Sequence, residues 1–436
     1  MAALLLIGGV TVALLEATGN LPGNSMDTVW ETPADPAAAE HGNGYWQAGD
    51  TLVRSRFDAV TGYHLKTGKQ RWTYVPEGRS EICSTSAPDA SVLLVVRGEN
   101  VSAAEAADEG CATVTALDLK TGRELWSSSR KASAKAAAGR PMSGTVAAGG
   151  GLGVIIAAWT DEIGKPVADG RRAIRAVDLH TGARRWTATL PEDCGPFSVG
   201  AANRKVAAVL NCGEGRRAQL EAATFDPATG ALLHHEPLDA RRPVDPVSSS
   251  APVKAVVLST DPLVVSVRPS GDYEPGTDAF FSFGADGRRL ARIESSGDYG
   301  KIVSGKPAKV AVDGEHLYAV AQRDSSSITK SRAVAIDLTS GRLVWQADYA
   351  RGNTLALAAR DGRVSVLHER ARHQSMESLY VLDGATGEEI DDRNFAKDLD
   401  RNDRWLAGLL DTDGLVIVSR YDTEGPGRPF VAYERW

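Results

Sequence analysis

A short phrase recurs along the chain: "ALDLKTGRELW" begins at Ala116, "AVDLHTGARRW" at Ala176 and "AIDLTSGRLVW" at Ala335. Each ends a short apolar run on an Asp, passes through a small residue and a Gly, and meets a Trp four residues after that Gly. One copy would be a hairpin, but self-similarity at a steady period decides an architecture before any local reading does. With the Gly as a ruler, the marker falls at Gly68, Gly122, Gly182, Gly230, Gly287, Gly341 and Gly387, in steps of 46 to 60 residues. Four positions before it stand Asp118, Asp178, Asp226, Asp337 and Asp383, with His64 and Phe283 as exceptions, and four after it stand Trp72, Trp126, Trp186 and Trp345.

Each part of the cassette has a mechanical role. An Asp carboxylate can accept hydrogen bonds from the N–H groups of the turn that follows it, and Gly supplies the positive φ that tightens the turn. Trp then lands at a constant place on the outgoing strand, where its ring can pack on the neighbouring unit and its N–H can reach a carbonyl. Asp118, Gly122, Trp126, Asp178, Gly182, Trp186, Asp337, Gly341 and Trp345 are therefore read as structural repeat positions, and the nine Trp as packing residues rather than cofactor platforms.

The segments before each turn are regular too. The sixth unit reads "PAKVAVDG", "EHLYAVAQR", "RAVAIDL" and "RLVWQADY", and the seventh "TLALAARDG", "RVSVLHER", "SLYVLDG" and "EEIDDR". Asp-Gly between alternating apolar runs is a hairpin signal, and four antiparallel strands in roughly 50 residues without helical periodicity match a propeller blade. After the seventh unit, "WLAGLLDTDG", "LVIVSRY" and "PFVAYERW" supply three further strands. The fourth is expected from the other end of the chain, in "MDTVWETPA" with Trp30 in the Trp context. The predicted fold is all-β: an eight-bladed β-propeller of four-stranded antiparallel blades over residues 26–436, the last blade closed by the N-terminal strand, which removes free sheet edges.

A formal charge of -7 provides no basic field for phosphate backbones, so nucleic acid is not expected as a partner. The first fifteen residues, "MAALLLIGGVTVALL", form an uncharged apolar run. A spanning helix needs about 20 apolar residues and a signal core about 7 to 15, so residues 1–20 are read as a hydrophobic signal or membrane-anchor segment. No Lys or Arg precedes residue 54, so the cationic flank of a signal is missing: either the true start lies upstream or the segment is atypical. The expected location is extracytoplasmic, membrane-anchored or secreted. Cysteine use agrees: Cys83, Cys111, Cys194 and Cys212 fall as two pairs, 28 and 18 residues apart, for which local disulfides are the simplest pairing in an oxidising compartment. Without a CxxC, or a His at zinc-finger spacing, no structural metal cluster is expected.

Other stretches offer weaker chemistry. "HERARH", His368 to His373, has one residue too many for HExxH and lies on a predicted strand. The glycine cluster in "AAGGGLGVIIAAW" precedes a strand, so no helix N-terminus follows it to hold a phosphate. His234 and His235 are adjacent on a strand and need bind no metal. The acidic run from Glu388 to Asp403 lacks the Gly and terminal Glu of a calcium loop, and the basic insertion Arg130 to Arg140 is read as a solvated loop.

The cassettes at Ala116, Ala176 and Ala335 resemble the PQQ-like repeat, and the region from Met26 to Trp436 looks like the eight-bladed propellers of that superfamily. The resemblance implies the fold but not the chemistry, because the same blade serves quinoprotein alcohol dehydrogenases, noncatalytic BamB-type assembly scaffolds and extracellular sensor domains. Quinoproteins of the family cap their cofactor with a disulfide between adjacent cysteines and place an Asp base beside a calcium held by Glu and Asn. No two cysteines are adjacent here, and no segment presents that acidic set. The expectation is a noncatalytic scaffold or ligand-binding module at the bacterial cell envelope, monomeric, with no cofactor, no catalytic or metal residue, and an unknown protein partner or small ligand at the propeller face. The alternatives are a PQQ-dependent quinoprotein dehydrogenase and an extracellular sensor component.

Overall fold

The structure, a computed structural model, describes residues 25–35, 44–98, 113–129, 145–158, 172–213, 218–239, 247–248, 251–269, 276–303, 307–323, 331–348, 353–369, 377–395, 406–412, 414–420 and 427–434. They form an eight-bladed β-propeller whose blades are antiparallel sheets built on four strands. The chain divides into two compact units, residues 40–294 and residues 295–436 with the N-terminal residues up to 39.

The unit of residues 40–294 holds five consecutive blades, spanning 44–74, 81–129, 146–187, 194–237 and 251–294, each a meander whose strands pair in chain order. Its inner strands are buried on both faces, which is why they read as continuous apolar runs. In blade 2 the strand Val92–Gly98 alternates between two cores. Leu93 and Val95 pack with Val53 and Val60 of blade 1, while Leu94 and Val96 pack with Ile155 and Leu179 of blade 3. The period-2 alternation of this strand thus joins blade 2 to blades 1 and 3.

The other unit holds blades 6, 7 and 8, at 310–348, 353–395 and 406–434. Blade 6 carries an additional hairpin, Ser296–Gly297 with Gly300–Ile302, paired on the strand His316–Gln322. The N-terminal segment completes two sheets in succession. Ser25–Met26 adds in parallel to the fourth strand of blade 7, with Met26 opposite Phe395. Thr28–Glu31 then adds antiparallel to the last strand of the chain, with Trp30 opposite Ala432 and Glu31 opposite Val431. The expected closure is present, and the segment also binds blade 7, which the sequence reading did not anticipate. Met26 is buried with Phe395, Val416 and Tyr433, and the rings of Phe395 and Tyr433 meet edge to face at 4.6 Å. Thr32 donates both its N–H and its hydroxyl to the Phe430 carbonyl.

One irregularity recurs in every blade. The ladder between third and fourth strands skips one residue, immediately before the Trp position: Arg71, Leu125, Arg185, Leu233 and Leu290 in the first unit, and Val344, Ile390 and Val29 in the second. Six of these eight are large apolar side chains exposed to solvent. A bulge lets two neighbours depart from strict alternation, so the residue before Trp can point outward without turning the Trp out of its pocket. It also twists the outermost strand, whose edge would otherwise template pairing with another chain.

Candidate functional site

Among the described residues the repeated turn is a regular polar structure, present in blade after blade. Asp118 Oδ1 accepts from the N–H groups of Lys120 and Thr121 at 2.7 and 3.2 Å. Asp178 does the same for His180 and Thr181, Asp226 for Ala228 and Thr229, and Asp383 for Ala385 and Thr386. Asp337 accepts from both the N–H and the hydroxyl of Ser340, at 2.7 and 2.6 Å. In blade 1, where Asp is replaced, His64 Nδ1 accepts from Lys66 N–H at 3.1 Å and so supplies the same cap with a ring nitrogen. In blade 5, which has Phe283, the turn shortens: Gly287 N–H bonds to the Gly284 carbonyl rather than to the residue four before it.

The caps of Asp226, Asp337 and Asp383 favour the ionised carboxylate. The Thr229 hydroxyl and N–H hold Asp226 below its ordinary value, the Ser340 hydroxyl and N–H do so for Asp337, and for Asp383 the Thr386 N–H acts first, then its hydroxyl. A carboxylate whose folded pKa lies below its unfolded value, about 3.9, contributes stability above that value and loses it as pH falls through the folded pKa. Acid unfolding should therefore begin below about pH 4, and the triple variant Asp226→Asn, Asp337→Asn, Asp383→Asn should show a shallower loss of stability over that range. Tryptophan fluorescence during acid titration reads this directly; an unchanged acid profile would contradict it.

The Trp of one blade closes on the turn of the next. Trp72, Trp126, Trp186 and Trp345 donate their Nε1–H to the carbonyls of Leu119, Leu179, Pro227 and Gly384 at 3.1, 2.9, 2.8 and 2.8 Å. Each acceptor is the residue following the cap Asp. The ring lies flat against the turn Gly: a Cβ added at Gly122, Gly182, Gly230 or Gly387 would sit 2.5 to 2.8 Å from the facing indole. At Gly387 the backbone also has φ 73°, so the same position needs Gly for both conformation and space. In blade 4 His234 stands at the Trp position and lies against Gly287. Gly341 has φ 70° and its N–H bonds to the Asp337 carbonyl.

Further polar side chains join blade to blade. Tyr74 of blade 1 donates to Glu124 of blade 2 at 2.6 Å, and burial with that hydrogen bond pushes the phenol above its usual range. Asp89 accepts from Gly151 N–H at 2.7 Å, joining blades 2 and 3. Asp239 pairs with Arg292, whose guanidinium lies 5.7 Å from the Phe281 ring centre.

Blade 4 carries the expected Cys194–Cys212 disulfide together with two side chains, Glu221 and His235, that the sequence reading did not connect with it. Cys194 and Cys212 are directly opposite on its first two strands and form a disulfide. Beside them on the third strand, Glu221 accepts from Gln219 Nε2 at 3.0 Å and from His235 Nδ1 at 2.7 Å. Once Cys212 is opposite Gln219 in the ladder, Glu221 must follow on the same face two residues on. That register is the signal that could have found it.

Cys83 is also disulfide-bonded; Cys111, the residue expected to pair with it, lies outside the described residues, as do residues 1–20, the insertion 130–140, His373 and residues 396–403. Among the described residues no helix is long and apolar enough to cross a membrane.

Residues 12–196 match a PQQ-repeat family model described as "Outer membrane protein assembly factor BamB". That match covers less than half of the chain, whose fold is an eight-bladed β-propeller. No curated protein matches its sequence. Solved structures similar to this propeller include the quinohemoprotein alcohol dehydrogenase of Comamonas testosteroni, at 13% identity and TM-score 0.54, covering 94% of this chain and 76% of that one. The computationally designed protein Ika8 is similar at 13% identity and TM-score 0.52, over 94% of this chain and 99% of that one. BamB from Moraxella catarrhalis is similar at 14% identity and TM-score 0.48, over 94% of this chain and 100% of that one. At such identities the likeness concerns the fold alone.

The Cys194–Cys212 bond joins two paired strands across 18 residues of sequence and does not link neighbouring residues.

Proposed function

We propose that the protein is a noncatalytic PQQ-like propeller that acts outside the cytoplasm at the bacterial envelope, as a scaffold for a protein partner or a binding module for a small ligand. The observation that carries this reading is the use made of its reactive side chains. The cap carboxylates hold their own turns, the indole N–H groups hold the adjacent blade, and Tyr74 with Glu124 bridges two blades. None of these groups is left aimed at a substrate. The description attached to the matching family model, an outer membrane assembly factor, supports the envelope, and a disulfide suits an oxidising compartment.

Purified protein mixed with PQQ and calcium provides the test, by absorbance together with dye-linked alcohol oxidation. The scaffold reading expects neither bound quinone in stoichiometric amount nor dye reduction. A stoichiometric quinone with turnover would overturn it in favour of an enzyme. Cross-linking in intact cells should in addition recover an envelope protein at fixed stoichiometry.

A further inference from the structure

We propose that reduction of the Cys194–Cys212 bond turns this corner of blade 4 into a zinc-type cation site, with the thiolates of Cys194 and Cys212 and the carboxylate of Glu221 as protein ligands and water in the fourth position. The inference stands independently of the scaffold reading.

The donors are held together by backbone, not by the sulfur bond alone. Cys194 and Cys212 are ladder partners with Cα atoms 4.0 Å apart. The Gly213 N–H bonds to the Asp193 carbonyl on one side of them, and Gly195 faces Asn211 on the other. Cutting the disulfide therefore leaves two thiols side by side on a continuing ladder. Glu221 is 7% exposed and sits on the same face of the third strand. The two sulfurs and a Glu221 oxygen lie within 4.8 Å of one another. Tetrahedral zinc, with bonds of about 2.3 Å to sulfur and 2.0–2.2 Å to oxygen, needs its donors about 3.5–3.8 Å apart; once the bond is cut, side-chain rotation can part the sulfurs and bring the carboxylate to that spacing.

The surroundings suit a ligand set. A carboxylate only accepts, so His235 Nδ1 carries the proton in its 2.7 Å bond to Glu221, and Gln219 Nε2 holds the other oxygen at 3.0 Å. Such outer hydrogen bonds fix the orientation of a ligating carboxylate. Two thiolates with one carboxylate favour zinc-like ions over calcium or magnesium. The His235 side chain, 43% exposed, marks the solvent side by which an ion and its water would enter.

The site is gated by redox state. While the sulfurs are bonded to each other neither is a thiolate ligand. A dithiol reductant gives the bond two electrons and two protons, breaking S–S into two thiols while it becomes a disulfide itself. The cation then displaces both thiol protons, so binding strengthens as pH rises.

Cobalt(II) is the probe. Full-length protein is reduced with a dithiol, freed of it by anaerobic gel filtration, and titrated while visible absorbance is read; circular dichroism follows the fold in parallel. The reduced wild type should bind one equivalent with the intense bands of tetrahedral thiolate cobalt, zinc should bleach them, and the oxidised protein should show none. The Cys83→Ser, Cys111→Ser variant should keep the bands, Cys194→Ser, Cys212→Ser should abolish them, and Glu221→Gln should weaken affinity at least tenfold. The proposal is overturned if the reduced wild type lacks the bands or loses its fold, if the bands survive loss of Cys194 and Cys212, or if Glu221→Gln binds as tightly as wild type.

Discussion

A chain lacking residues 25–31 is expected to lose most of the stability of the unit formed by blades 6 to 8 and to aggregate at temperatures where the intact protein is soluble. The segment buries Met26 and Trp30, completes the fourth strand of blade 8 and adds a fifth to blade 7. Its removal uncovers Phe395 and Tyr433, now almost wholly buried, and leaves the strand Phe430–Glu434 as an open edge. Full burial of each large apolar side chain contributes about 1.5–3 kcal/mol, and each lost hydrogen bond about 1 kcal/mol. The sum is on the order of 5–10 kcal/mol, comparable with the whole stability of an ordinary domain. Thermal unfolding with light scattering measures both effects. A deletion that moves the midpoint by only a degree or two would mean that the segment is not the closure. Phe395→Ala is the milder companion, expected to cost about 3–5 kcal/mol as a large-to-small core change.

The second large effect belongs to the indole–glycine contact between blades 6 and 7. In Gly387→Ala the new methyl meets the Trp345 ring at 2.6 Å, at a backbone φ of 73°. Left-handed strain of about 1–2 kcal/mol and overpacking of about 1–3 kcal/mol should add. Trp345→Ala removes the ring and its hydrogen bond to Gly384, at about 3–5 kcal/mol. The two residues share one contact, so their effects should not add. With the ring gone the methyl has space, and the double variant should cost less than the sum of the single ones by about the overpacking portion, 1–3 kcal/mol. Urea denaturation with an unchanged slope is the readout; strict additivity would show that ring and glycine do not press on one another.

Much of this was legible in the sequence because its signals are local. A cap Asp, a positive-φ Gly and a Trp lie within nine residues, so the cassette gave the blade count, and Trp30 in the same context pointed to the closing strand. What was not legible depends on pairing across strands. Leu125 and Val344 read as ordinary strand residues; only the register shows that they are bulged. Ser25–Met26 is two residues long, too short for any periodicity, and its place on blade 7 is set by the pocket around Phe395. His64 is an exception to the Asp pattern in sequence, yet its Nδ1 accepts the corresponding N–H of the turn. Glu221 and His235 join Cys194 and Cys212 from four separate strands, and no spacing within one strand announces them.

Hydrogen–deuterium exchange on the intact chain tests the central claim, that the two chain ends share a sheet. Glu434 N–H bonds to the Asp27 carbonyl and Thr32 N–H to that of Phe430, so peptides covering 25–35 and 427–434 should be protected alike and should open together under mild denaturant. A rapidly exchanging N-terminal peptide beside a protected C-terminal one would contradict that account.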